Sequence, residues 1–366
     1  MKKLLFALPL ILALFYFGCD STEPDGTDNS DIPQDPAGVT IPLLQFNNIL
    51  PTGNFTLGAG NRVKVNLQGL INPKTNQPIQ LFYDANNPAS SNIFLSEDGV
   101  VKGLKVTKVS TGNTLKADVV FVVDNSGSMG EEADSVANGI ISFANFLQAS
   151  GLDVRFGVVG YYGQVNGALN FTTAQALSNY LNRVGYSGTS RTEGFAGPDS
   201  ASLQNRASNF ANTVYDENGV VAALFADSVF SWRGDAQRVI INFTDESTQP
   251  DNALLWNTAT MCAKLSGKAT VHTVYSGPAD TSYGLNGPWG PYHERPWKMS
   301  ECTGGTIKFV PQDASGLNLK NLPVAGALSN SYLVEYVAGS TGKVHTVIIA
   351  VKTNDADGKQ EFSVNY

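Results

Sequence analysis

The sequence predicts an α/β domain, built on a doubly wound parallel sheet, that is inserted in an all-β sandwich. In the middle of the chain, over residues 116–326, apolar runs typical of fully buried strands alternate with helical segments. Shorter segments with alternating apolar and polar residues flank this region, at 39–115 and 327–366. A chain of 366 residues with 42% hydrophobic and 15% charged residues is long enough for two such domains.

The N-terminus has the features of an export signal. Two lysines precede the apolar segment 4–17, which is too short to span a membrane comfortably. It ends at Gly18-Cys19, and a small residue followed by Cys resembles a bacterial lipobox, although Tyr16 replaces the usual Leu. We therefore expect residues 1–18 to be a signal peptide and Cys19 to carry a lipid anchor in the cell envelope, facing the periplasm or the exterior. The alternative is an ordinary signal peptide with an unrelated Cys.

Two further features follow from export. Residues 19–38 are rich in acidic, Pro, Ser and Gly residues and contain no Lys, Arg or aromatic residue, which predicts a disordered acidic tether. After Cys19, only Cys262 and Cys302 remain. In a compartment that permits disulfides they can pair, and the alternative is two buried thiols.

The flanking β segments are predicted to form one sandwich of the immunoglobulin-like kind. Alternation is clear at 63–67 and 104–107, and it returns at 332–336 and 344–351, with a last hairpin turning at Asp357-Gly358. The C-terminal strands are too few for an independent sheet. We expect them to pair with the N-terminal strands, which makes the α/β domain an insertion.

The α/β domain is predicted from hydrophobic periodicity. Val119–Val123 is a continuous apolar run, and the spacing of apolar residues from Val136 to Leu147 is helical. Strands are predicted at 154–159, 238–243 and 269–275, and helices at 200–214 and 219–231.

A polar motif, Asp124-Asn125-Ser126-Gly127-Ser128, follows the first buried strand directly. Ligands of open α/β sheets bind at this carboxyl edge. One carboxylate and two hydroxyls are hard oxygen ligands, which select Mg²⁺, Mn²⁺ or Ca²⁺ over softer metals. The alternative is that Asp124 or Ser126 only caps the following helix.

With this motif, the segment from Asp118 to about Val310 resembles a von Willebrand factor type A domain. The residues that match the first segment of the metal ion-dependent adhesion site (MIDAS) of that family are Asp124, Ser126 and Ser128. Asp245, in Thr244-Asp245-Glu246 after strand 238–243, matches its second carboxylate. The family also uses a Thr between these segments, for which Thr192 is favoured and Thr189 is the alternative.

The resemblance implies a binding module and not an enzyme. A divalent cation, Mg²⁺ before Mn²⁺ or Ca²⁺, would complete its coordination with an Asp or Glu of a protein partner. The loop from Ser276 to Pro296, with Trp289 and Tyr292, is expected to frame this contact together with Tyr161-Tyr162. The alternative is that these aromatic residues pack into a small core of their own.

Other functions are less well supported by the residues. The net charge of −8 and the lack of a basic stretch argue against nucleic-acid binding. His272 and His345 lie in predicted strands and are expected to be structural, whereas His293 lies in the aromatic loop. One alternative is a structural or envelope-assembly role that does not need the metal. Another is metal-assisted hydrolysis with Glu246 or Glu193 as general base, but no catalytic motif accompanies them.

Overall fold

The structure is a computed structural model that describes residues 28–75, 77–108, 116–149, 152–162, 164–182, 217–250, 256–277, 293–321, 328 and 330–366. In chain order its strands are β1 (Gly53–Leu57), β2 (Arg62–Leu67), β3 (Ile93–Glu97), β4 (Val100–Val101), β5 (Lys105–Lys108), β6 (Lys116–Asp124), β7 (Asp153–Tyr162), β8 (Gln164–Thr172), β9 (Gln237–Thr244), β10 (Thr270–Tyr275), β11 (Ile307–Phe309), β12 (Tyr332–Val337), β13 (Val344–Lys352) and β14 (Asp357–Asn365). The α-helices are α1 (Ala133–Ala149), α2 (Ala174–Tyr180), α3 (Gly219–Val229), α4 (Thr258–Leu265) and α5 (Lys298–Glu301). Among the helices of these residues, none is both long and apolar enough to cross a membrane.

The α/β domain is built on a six-stranded sheet with the order β11-β10-β9-β6-β7-β8. All neighbouring strands from β11 to β7 are parallel. The five residues Val119–Val123 of the central strand β6 are fully buried, because helices cover both faces of the sheet. The four strands predicted from apolar runs in this domain are therefore confirmed.

The last strand of this sheet corrects the prediction of a purely parallel sheet. β8 runs antiparallel to β7 at the edge, so the sheet is mixed. β7 ends at Tyr162 and β8 begins at Gln164, and a connection this short allows only a hairpin, since a parallel neighbour needs a crossover of a dozen or more residues. Residues 164–172 had no strand assigned to them from sequence.

The helices follow the predicted apolar periodicity. Helix α1 buries the apolar residues between Val136 and Leu147 against the sheet, as predicted. Helix α3 begins after Asn218, whose side-chain oxygen accepts hydrogen bonds from the backbone N–H groups of Val220 and Val221, and it covers most of the predicted helix 219–231. The predicted helix 200–214 lies outside the described residues.

Two antiparallel sheets, β1-β2-β12-β5 and β14-β13-β3-β4, share one hydrophobic core. The C-terminal strand β12 pairs with both β2 and β5, and β13 pairs with β3. The C-terminal strands thus complete sheets that begin before residue 116, as predicted, and the α/β domain is inserted between them. The immunoglobulin-like topology stays a prediction.

The N-terminal segment corrects a second prediction. Residues 28–38 lie along the β domain, where Asp31 pairs with Arg62 at 2.7 Å and Asp35 pairs with Lys102 at 2.6 Å. Hydrogen bonds from Arg62 and Lys105 hold the pKa of Asp31 well below its usual range. The disorder predicted for residues 19–38 is therefore wrong for 28–38, because its acidic side chains find cations on the strands, which the composition of the segment alone does not show.

The β domain contacts the α/β domain where the parallel strands begin. The side-chain amide of Asn66 donates to the carbonyl of Asp235, just before β9, at 2.7 Å. At the start of β10, the Thr270 hydroxyl donates to the side-chain oxygen of Gln68 at 2.6 Å. The carboxyl ends of the same strands lie at the opposite edge of the sheet, so the two edges have separate roles.

A buried ion cluster ties strands together at the N-terminal edge. Asp118 of β6 is fully buried and accepts hydrogen bonds from the guanidinium groups of Arg155 and Arg233, at 2.8–3.0 Å. The backbone N–H of Arg233 also donates to it at 2.8 Å. This carboxylate therefore fixes the start of β7 and the segment before β9 to the central strand.

Asp118→Asn is expected to lower the free energy of unfolding by about 3 kcal/mol, because both arginines lose a desolvated partner. The matched control is Asp153→Asn, since Asp153 pairs with the same Arg233 at 2.8 Å but is 43% exposed. Its expected cost is below about 1 kcal/mol. Urea denaturation of the three proteins checks this, and equal losses in the two variants would contradict it.

Candidate metal site

The site begins where the two central strands end side by side. β6 and β9 are parallel with Val123 opposite Phe243, so Asp124 and Thr244 leave the sheet as neighbours. The Thr244 hydroxyl donates to Asp124 Oδ2 at 2.8 Å. The strand register therefore brings the motif after β6 next to the Thr-Asp-Glu segment after β9.

Hydrogen bonds join four of the five predicted metal ligands. The hydroxyls of Ser126 and Ser128 are 2.9 Å apart, and the Ser128 hydroxyl donates to Asp245 Oδ1 at 3.1 Å. Asp124 Oδ1 accepts from the backbone N–H of Ser126 at 2.9 Å. Thr192, its alternative Thr189, and Glu193 lie outside the described residues.

Helix capping does not account for the two serines. Ser126 stands at the N-cap of the 3₁₀ turn Gly127–Gly130, but its side chain makes no capping hydrogen bond. Its hydroxyl points instead into the cluster, towards Ser128. The bond from Ser126 N–H to Asp124 is a local turn bond, and the other carboxylate oxygen of Asp124 is directed at Thr244.

Strand β8, which was missed from sequence, holds the loop in place. The side-chain amides of Asn125 and Asn166 of β8 hydrogen-bond each other in both directions, at 2.9 and 3.2 Å. The backbone N–H of Asn125 donates to the carbonyl of Tyr161 in β7 at 3.0 Å. The loop that carries Asp124 and the serines is therefore fixed by both strands of the β7–β8 hairpin.

The electrostatics of the cluster disfavour its own negative charge. Burial raises the pKa of Asp124 well above its usual value, and the nearby Asp245 carboxylate adds to the shift. Burial also raises the pKa of Asp245, although the Ser128 hydrogen bond opposes it. Within the described part of the chain, neither carboxylate forms an ion pair with Lys, Arg or His.

Two further acids stand at the same edge. Glu132 is fully buried, and its Oε1 accepts from the Ser276 hydroxyl at 2.6 Å, while its Oε2 has no partner among the described residues. Burial raises the pKa of Glu132 to about 7. Burial, with Asp245 and Glu217 nearby, raises the pKa of Glu246 to about 7. Glu132 had no role assigned from sequence; its signal was its place one turn after Ser128, at the start of a helix.

The chemistry of these donors fits a hard divalent cation. Carboxylates and hydroxyls converge without a protein cation to balance them, and a bound cation would favour their ionised forms. The described residues contain no group of three or more His, Cys, Asp or Glu residues with the geometry of a metal centre, so the candidate ligand set combines carboxylates with serine hydroxyls.

Comparison with known families bears on the same segment. A family model described as the von Willebrand factor type A domain matches residues 118–282. Residues 118–282 are a von Willebrand factor type A (VWA) domain. The match starts in β6 and includes Asp124, both serines and Asp245, so the residues of the cluster lie within the VWA domain.

Two solved structures are similar to the chain at 13% identity. One is proximal thread matrix protein 1 from the mussel byssus, solved with a zinc-occupied MIDAS motif; the match covers 64% of this chain and 50% of that chain, with a TM-score of 0.38. The other is the pilus adhesin SpaC from Lactobacillus rhamnosus GG in an open conformation, with 89% and 55% coverage and a TM-score of 0.35. The chain spans about half the length of each. The comparison with curated proteins gives no match.

The predicted contact residues have mixed outcomes. Tyr161 is buried beneath the site, where its hydroxyl donates to Asn242 Oδ1 at 3.3 Å, so its prediction as a contact residue is wrong. Burial raises the pKa of this hydroxyl well above its usual value. Side chains alternate between the faces of a strand, and Tyr162 is accordingly exposed. Trp289 and Tyr292 lie outside the described residues.

The histidines and Trp297 have structural surroundings. His272 is buried, its Nδ1 bonds Thr306, and burial lowers its pKa to about 3, as expected for a structural residue. His345 is buried and stacks on Tyr366. His293 Nδ1 lies 3.0 Å from the Ser247 hydroxyl. Trp297, at the end of the aromatic loop, packs edge-on against Tyr275 and Phe309.

The structure joins Cys262 and Cys302 in a disulfide. The bond links helix α4 to the residue that follows α5, across 40 residues of sequence. It thereby bridges the two ends of the segment that contains the aromatic loop.

Because the pKa of Glu132 is raised, we expect this residue to lower the folding stability of the metal-free protein by an amount that depends on pH. An unfolded Glu titrates near pH 4.3, so between about pH 4.3 and 7 the folded state binds more protons and its stability falls as pH rises. In EDTA, the free energy of unfolding of Glu132→Gln, relative to that of wild type, should therefore increase by about 2 kcal/mol when the pH is raised from about 5.5 to about 7.5. Urea unfolding at both pH values measures the difference.

Comparing the two proteins removes the opposite contribution of His272, which is present in both. His272, with its lowered pKa, loses stability as pH falls below about 6.5. If the free energies of unfolding of wild type and Glu132→Gln differ by the same amount at both pH values, the destabilising effect assigned to Glu132 is contradicted.

Proposed function

We propose that the VWA domain is a binding module that uses a divalent cation to bind an acidic side chain of a protein partner. The proposed ligands are Asp124, Ser126, Ser128, Thr192 and Asp245. The observation that carries the proposal is the buried Asp124 carboxylate, which is hydrogen-bonded into a network with both serines and Asp245. Burying a carboxylate without a counter-charge is costly, and a cation at this point removes the cost.

The composition of the ligand set supports recognition of an acid. Serine hydroxyls are neutral, so few negative charges of the protein balance the ion, and the ion retains affinity for a further carboxylate. The β7–β8 hairpin and Thr244 fix the ligands in advance, which lowers the ordering cost of binding. The exposed Tyr162 stands at the rim of the same edge, where it is available to the partner.

The module is proposed to be held at a membrane of the bacterial cell envelope. The support is the sequence pattern at the N-terminus, where an apolar segment ends at Gly18-Cys19. Lipidation of Cys19 would place residues 20–27 between the membrane and residue 28, where the described part of the chain begins. Radiolabelled palmitate incorporation into wild type, and its loss in Cys19→Ala, tests this anchor separately from the metal site.

Cation binding should depend on the second carboxylate. Asp245→Asn keeps an oxygen for the Ser128 hydroxyl but removes a ligand charge, and is expected to weaken Mg²⁺ or Mn²⁺ binding by at least about tenfold. Isothermal titration of the metal-free protein measures this. Asp235→Asn is the matched control, because Asp235 pairs with Lys116 at the opposite edge of the sheet. Equal affinity in all three proteins would contradict the ligand set.

Partner binding should require the cation. A pull-down from envelope extract on immobilised protein is expected to recover the partner with Mg²⁺, to lose it in EDTA, and to lose it with Asp124→Ala, while Asp235→Asn retains it. Added free acetate in excess should compete, because it offers the ion the same carboxylate. Binding that survives both EDTA and Asp124→Ala would instead support an assembly role through the β domain.

A further inference from the structure

A lysine and two carboxylates meet at the point where the N-terminal segment joins the β domain. Lys102 Nζ lies 2.6 Å from Asp35 Oδ2 and 3.8 Å from Glu97 Oε2. The Lys102 and Glu97 side chains are each only 4% exposed, and among the lysines of the described residues Lys102 alone is buried. We infer that Lys102 and Asp35 form an intramolecular amide cross-link, with Glu97 as the proton-transfer residue.

The geometry suits attack of the amine on the Asp35 carboxyl. The carboxyl carbon lies one C–O bond beyond the oxygen that Nζ contacts, so the reacting atoms are already neighbours. The other oxygen, Oδ1, accepts from the backbone N–H of Gly103 at 3.0 Å, which stabilises negative charge that develops on it. Reacting groups held in this way reach effective molarities of about 10⁵–10⁸ M, which favours condensation over the separated acid and amine.

Glu97 is held in position for proton transfer. Its Oε1 accepts from the Tyr366 hydroxyl at 2.6 Å, and its Oε2 accepts from the backbone N–H of Gly339 at 2.7 Å. These bonds fix Oε2 on the side of Glu97 that faces Lys102. The Lys102 and Glu97 side chains are each only 4% exposed, so little water competes with the amine for the Asp35 carboxyl.

The reaction balances without a further reactant. A proton passes from the Lys102 ammonium to the Asp35 carboxylate, which leaves a neutral amine and a neutral carboxylic acid. Nζ then attacks Cγ of Asp35, and Glu97 takes a proton from the nitrogen and returns it to the departing hydroxyl. One C–N bond forms and one C–O bond breaks. One water molecule leaves to solvent past the Asp35 side chain, which is 39% exposed.

A second triad provides a natural comparison. Lys105 contacts Asp31 of the same segment at 2.5 Å and lies 3.9 Å from the buried Glu335. The three residue types and their spacing match those of the first triad, but Lys105 is 38% exposed, and Arg62 also pairs with both carboxylates, at 2.7 and 2.8 Å. Because water stabilises its ammonium ion, this pair is expected to remain an ordinary ion pair. The exposure of Lys105 and the pairing of Arg62 with both of its carboxylates therefore distinguish this group from that of Lys102.

Intact mass spectrometry of the purified, disulfide-reduced full chain tests the cross-link. Wild type is expected to be lighter by one water molecule than the mass calculated for its processed N-terminus, which is common to wild type and all variants. Lys102→Arg and Asp35→Ala should restore the full mass, while Lys105→Arg should keep the loss. Protease digestion should yield one branched peptide that contains both Asp35 and Lys102.

Each result decides a part of the proposal. A wild type of full mass would overturn the cross-link, and so would a loss that persists in Lys102→Arg or disappears with hydroxylamine, since a succinimide at Asp98-Gly99 or Asp357-Gly358 loses the same mass. Glu97→Gln can accept from the Gly339 N–H with its oxygen and donate to the Tyr366 hydroxyl with its amide, and it is expected to abolish the loss in a protein with a wild-type circular dichroism spectrum. A cross-link that forms in Glu97→Gln would overturn the role of Glu97 alone.

Discussion

The organisation of this protein depends on how buried charges are balanced. Asp118 at the start of β6 is neutralised by two arginines, whereas Asp124 at the end of the same strand is equally buried and, within the described part of the chain, accepts only hydroxyl and amide hydrogen bonds. A folded protein does not retain an uncompensated buried carboxylate without a cost of several kcal/mol. The contrast along one strand distinguishes the structural role of Asp118 from the role proposed for Asp124, and it is the reason for proposing a cation beside Asp124.

The inserted topology gives these two ends different surroundings. The strands of the β domain contact the beginnings of β9 and β10 through Asn66 and Gln68, beside the arginine cluster of Asp118. All parallel strands then carry their polar loops to the far edge of the sheet. The same strands that are fixed at the β domain therefore present the candidate metal site away from it, so the proposed attachment to the envelope would leave the proposed binding edge free.

Much of this arrangement could be predicted from the sequence, because it depends on periodicity and on residues adjacent in the chain. Continuous apolar runs such as Val119–Val123 have few interpretations, and Asp124 and Asp245 each directly follow such a run. The features that could not be predicted depend on which strands pair and on which distant side chains form ion pairs. Strand β8 was missed because Asn166-Gly167, a typical turn dipeptide, lies within it, and which of Tyr161 and Tyr162 is buried depends on how the sheet packs. Residues 28–38 were misjudged since their cations, Arg62 and Lys102, lie far along the chain.

The cross-link follows from the same balance of buried charge. Lys102 and Glu97 are nearly as buried as Asp118, but their partner Asp35 lies on a segment that is otherwise held by ion pairs, by hydrogen bonds such as that from Asn29 to the Gly60 carbonyl, and by the buried Ile32. Surface ion pairs contribute about 1 kcal/mol or less each, which is little resistance for a segment between an anchor and a ligand. If the chain is held at Cys19 and at the cation, as the proposed function has it, tension enters the fold at this segment. An amide between Asp35 and Lys102 would pass that tension directly to the end of β4, so that β1, β2 and β3, which lie between the two residues, would bear none of it.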